Sequence, residues 1–120
     1  MERSMTERGW QQGPVEAYDH DEPVGRARDL IAALLNRDDE LHLGMAIFDL
    51  WAAFDELVDP LTPPPPPRPV WIEDPAQAMR DAHAGLAAAI ERAETPGEAL
   101  RIGRAAHNVA HGLATLEQPR

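Results

Sequence analysis

The chain has no cysteine and no lysine. The first absence excludes disulfides, thiolate metal sites and a thiol nucleophile. The second excludes a Schiff base. Serine occurs once, as Ser4, and tyrosine once, as Tyr18. An enzyme built from the remaining residues would depend on histidine, aspartate, glutamate, arginine or a bound metal, so catalysis is not expected. No apolar run approaches the roughly 20 residues of a membrane-spanning helix. The N-terminus, MERSMTERGW, lacks the apolar core of a secretion signal. The expected location is therefore the cytoplasm, with no membrane partner. With no lysine and abundant alanine, the composition fits a GC-rich bacterial genome.

The 120 residues are the length of one domain, which buries roughly two thirds of its unfolded surface without a staple. The formal charge of −10 is uneven. Residues 1–40 carry ten acids and five arginines, residues 41–75 six acids and Arg68 alone, and residues 76–120 five of each. An acidic surface repels nucleic-acid phosphates and suits a basic protein partner.

Residues 1–22 are polar, acidic and without period, and read as a flexible N-terminal arm whose large apolar groups are Trp10 and Tyr18. Residues 23–120 read as a single helical domain. A first helix over about 23–35 opens on Pro23, carries Leu30, Ile31, Leu34 and Leu35 as its apolar stripe, and stops at Asn36. A second, over about 39–58, is capped by Asp38 or Asp39. Leu43, Ile47, Leu50, Phe54 and Leu57 form its heptad seam, with Leu41, Met45, Phe48 and Trp51 as a second apolar row beside it. A helix apolar around most of its circumference must be covered on most sides. It is expected at the centre of the fold, at a dimer interface, or both.

Pro60 ends that helix, and residues 60–69 read as a polyproline strut, after which Trp71 and Ile72 fold back on the core. Pro63, Pro66 and Arg68 also match the pattern read by SH3 domains, but a stiff linker explains any proline run equally well. Two further helices, about 75–93 and 96–116, start on Asp74-Pro75-Ala76-Gln77 and Thr95-Pro96-Gly97-Glu98. Each reads as a capping box with proline at the first position. Their expected seams are Met79, His83, Leu86, Ile90 and Ala93, and Ile102, Ala106, Val109, Leu113 and Leu116. The whole reads as all-α: two antiparallel helical hairpins joined by a proline-rich strut, forming a four-helix bundle completed by dimerisation.

The histidines are the sharpest chemical signal. His107 and His111 stand four apart on one helix face, a spacing that holds a transition metal. If the turn centres near Thr95-Pro96, His83 and His107 lie about 12 residues either side of it, at nearly the same height. His83, His107 and His111 thus make a candidate site for a transition metal or haem. Against this stand the absence of an HExxH motif and of a carboxylate at ligand spacing, with Arg80 and Arg104 where a di-iron bundle needs glutamate. Structural histidines are the simpler account.

The leading expectation is a protein–protein interaction or regulatory module without catalysis or cofactor. It would be a homo-oligomer or the binder of a basic protein, using Leu41, Met45, Phe48 and Trp51, with Trp10 on the arm. The alternative is the metal- or haem-binding helical bundle.

Overall fold

Proline opens each of the three longest helices. The computed structural model describes residues 22–58 and 66–118. Among these residues the chain is all-α, with five helices and no strand. Helix α1, Pro23–Asn36, begins on Pro23, where the missing N–H would have had no partner and φ is already helical. Helices α4, Pro75–Glu91, and α5, Pro96–Glu117, begin the same way. The expected N-terminal arm, with Trp10 and Tyr18, lies outside the described residues, as does the linker through residue 65. No helix among the described residues is long and apolar enough to cross a membrane.

The two capping boxes differ. At α5, Thr95 Oγ1 accepts the Glu98 N–H at 3.1 Å, and Glu98 Oε1 accepts the Glu94 N–H at 3.1 Å. At α4, Asp74 accepts the N–H groups of Ala76 and Gln77 at 3.0 and 3.5 Å, but Gln77 does not reach back. Its amide donates instead to Asp81 at 2.9 Å.

The expected helix over 39–58 is two helices. Helix α2 spans only Asp38–Leu41 and α3 runs over Ala46–Glu56. Between them His42 and Gly44 take left-handed backbone angles, φ 55° and 60°, a conformation glycine adopts freely and other residues do not. The apolar period runs across this break without a change of phase and so conceals it. No side chain caps either helix; Arg37, not Asp38 or Asp39, stands at the N-cap of α2.

Each of the four longer helices packs against two others, and α5 makes two of the three most extensive contacts. It packs along α3 on one side and α4 on the other, while α1 packs along α4 and more lightly along α3. Helix α3 is an outer wall, not the centre that its apolar girth suggested. Its heptad seam does face inward, with Leu43, Leu50 and Leu57 buried. They meet a core of Ile31, Leu34, Met79, Leu86, Ile102 and Val109. On α4 the inward row is Ala78, Met79, Ala82, Leu86 and Ala89. His83 and Ala93 are only half-buried, and Ile90 is exposed.

Small residues set the spacing. A Cβ on Gly112 of α5 would stand 3.1 Å from Asp49 Cβ and 3.1 Å from Met79 Cε. A Cβ on Gly85 of α4 would stand 3.1 Å from the Pro23 carbonyl oxygen. Both contacts are tighter than ordinary side-chain packing permits, so glycine lets α3 approach α5, and α1 approach α4, this closely.

The extended segment from Pro66 to Ile72 is tied to α1 by polar groups. The buried carboxylate of Asp29 accepts the Arg68 N–H at 3.0 Å, and Arg37 Nη1 donates to the Ile72 carbonyl at 2.8 Å. Ile72 enters the core as expected. Trp71 does not: it is 77% exposed and lies under the Arg37 guanidinium, 4.5 Å from the ring centroid.

Two glycines with opposite surroundings give substitutions of opposite sign. Gly112→Val should destabilise the protein by about 1–3 kcal/mol through overpacking. Gly103→Ala, whose Cβ would meet nothing within 4 Å, should stabilise it by about 0.5–1 kcal/mol. Thermal unfolding followed by circular dichroism reads both. A Gly112→Val protein that melts with the parent would show that α3 does not approach α5 this closely.

Candidate interaction surface

Because α3 has a core on its inner side only, its second apolar row is left outside. Met45 is 68% exposed, Phe48 66% and Trp51 51%. Ala52 and Asp55 lie exposed on the same face, while Leu41, just before the break, is half-buried. Scattered apolar residues on a surface need no explanation, but three large ones within two helical turns form a patch.

The patch has ordered edges. On the α1 side, Trp51 meets Phe54 edge to face, with centroids 6.3 Å apart, a favoured aromatic geometry. Phe54 in turn lies under the buried Arg28 guanidinium, 4.9 Å from its centroid. Trp51 is thus held against a ring that is itself held from below. On the α5 side, Asp49 Oδ2 is 2.9 Å from His111 Nδ1, and Glu56 Oε1 is 3.9 Å from Arg104 Nη1. At the N-terminal end, Met45 borders a hollow of about 300 Å³ that it forms with His42, Leu43, Gly44, Thr115 and Leu116.

The candidate histidines do not come together. His107 and His111 are both exposed on the outer side of α5. His111 is occupied with Asp49, while His107 lines a shallow groove with Glu56, Leu100, Gly103 and Arg104. His83 borders a different hollow, formed with Arg80, Ala110, Leu113 and Glu117. His83 thus lies half-buried at the edge of the hairpin seam, while Ala78, Met79, Ala82, Leu86 and Ala89 form the buried row of α4. Among the described residues no group of three or more His, Asp or Glu is placed to hold a metal ion.

Two features of this surface were not legible in the sequence. The buried Arg28 over the Phe54 ring carries no signal in a helix whose stripe is Leu30, Ile31, Leu34 and Leu35. The His111–Asp49 contact joins residues 62 apart in the chain. Comparison with protein-family models, curated proteins and solved structures yields no match for this chain.

Neighbouring positions on α3 should separate stability from surface. Leu50→Ala should cost about 2–5 kcal/mol by opening a cavity in the core. Phe48→Ala and Met45→Ala should each change stability by about 0.5 kcal/mol or less. Urea unfolding of the three variants decides it: a large loss at Phe48 would mean that the ring is covered.

Proposed function

We propose that this chain is a small acidic protein–protein interaction module without catalytic activity, and that its partner docks on the outer face of α3. The observation that carries the reading is the exposed trio of Met45, at the N-cap of α3, with Phe48 and Trp51 on the helix. Together these side chains present on the order of 300 Å² of apolar surface, within the size range of the largest patch on a typical soluble monomer, and that patch is often functional. Aromatic residues held by their own neighbours lose little freedom on binding and are the residue types that dominate interface energetics. In this reading the helices form a four-helix bundle whose thin outer wall, α3, is completed by a partner. A second copy of the chain is one such partner and a basic protein another. The histidine-based metal or haem alternative is not favoured by any contact among His83, His107 and His111.

A photo-crosslinking amino acid at position 48, introduced in the producing cell, tests the docking face directly. A discrete protein adduct should form from position 48 and be lost with Trp51→Asp. The same group at Ala88, exposed on α4, should give none. Identical products from the two positions would remove the support for a docking face.

A further inference from the structure

We infer that the occupant of the α3 face is a short basic amphipathic helix supplied by another protein. This rests on the proposed docking role of that face and adds the chemistry of its partner.

Charge is the first argument. Residues 38–58 hold six acids, Asp38, Asp39, Glu40, Asp49, Asp55 and Glu56, and no arginine. Two of these have an arginine neighbour, with Glu40 3.5 Å from Arg37 and Glu56 3.9 Å from Arg104, and Asp49 lies 2.9 Å from His111. Asp38, Asp39 and Asp55 form no ion pair with any described residue. Asp55 lies on the apolar face itself, one helical turn beyond Trp51 and Ala52. An apolar strip with an acid on it and acids around it calls for a partner whose apolar stripe is rimmed by lysine or arginine.

Size is the second argument. The 11 residues of α3 make a helix about 16 Å long. The apolar area of roughly 300 Å² is less than half of the ~800 Å² per partner that a standard stable interface uses. It suits one helix laid across the face, anchored at i, i+3 or i+4, and i+7. The hollow beside Met45, about 300 Å³ and bordered by Leu43 and Leu116, offers a seat for one of those anchors. Against a second copy of the chain, the same face would set acid toward acid, in a protein whose net charge is already −10. Trp71, the other widely exposed aromatic among the described residues, is already engaged by Arg37 and lies on the linker, outside this strip.

The probe is a fluorescein-labelled 18-residue peptide of leucine and lysine with leucine at i, i+3, i+4 and i+7. Its comparators are a scrambled peptide of the same composition and a patterned peptide with glutamate for lysine. Titrated with the full chain at low salt, the patterned basic peptide should bind saturably at 1:1. The scrambled peptide should bind at least tenfold more weakly and the glutamate peptide not at all. A Phe48→Ser, Trp51→Ser double variant with an unchanged circular dichroism spectrum should lose at least tenfold in affinity. Raising the salt should weaken binding further. Equal binding of the scrambled peptide, or undiminished binding by the double variant, would overturn the inference, because charge without the face would then suffice. If no peptide binds and the chain sediments as a dimer that Phe48→Asp converts to monomer, the partner class is wrong but the docking face stands. If no peptide binds and the chain is a monomer with no adduct from position 48, both fall.

Discussion

The architecture turns on the close approach of α3 to α5 at Gly112. A side chain there would meet Asp49 Cβ and Met79 Cε at 3.1 Å, so the glycine fixes how deeply α3 is seated. Seated that way, α3 commits Ala46, Leu50 and Ala53 to the core. A helix has one circumference, and what is turned inward at 50 and 53 leaves 48, 51 and 52 facing out. The exposed aromatic face is thus the geometric complement of the Gly112 contact. The same seating brings Asp49 to the edge where it meets His111. One close contact thereby sets the inner seam, the outer face and its α5-side rim.

The core is built to match that constraint. Helices α4 and α5 meet through alanines and a few larger groups, Met79, Leu86 and Val109, which allows close spacing but buries little apolar area per residue. Large side chains are concentrated on and beside α3, where Met45, Phe48 and Trp51 stay outside. Polar ties compensate in the one long connection. Asp29 and Arg37 hold the backbone from Arg68 to Ile72 along α1, where a proline-rich segment with few N–H groups has little hydrogen bonding of its own to offer. A buried carboxylate that accepts a backbone N–H positions the chain specifically, because leaving either group unpaired is expensive.

Electrostatics and packing meet on the same surface. Two of the acids along α3 are answered by α5, at Arg104 and His111, and these exposed pairs add little stability. What they do is shape the rim. The α5 edge of the face carries the partners of Asp49 and Glu56, while Asp38, Asp39 and Asp55 have no ion-pair partner among the described residues.

Local chemistry was legible in the sequence. The proline-opened helix starts at 23, 75 and 96, the N-caps Asp74 and Thr95, the helical class and the inward seam of α3 all follow from residues a few positions apart. Their physical causes are φ, capping and apolar period, and these are properties of short segments. The excess apolar row of Leu41, Met45, Phe48 and Trp51 was also legible, but where it faces was not. The break at His42–Gly44 escaped because an apolar period gives no sign of a backbone reversal when its phase is preserved. The rotation of α4 that leaves His83 beside Arg80, the reach of His111 to Asp49 and the seat of Phe54 under Arg28 were decided only by tertiary packing. Each depends on which way one helix turns against another, and that turn is a property of the whole packed core rather than of any short segment.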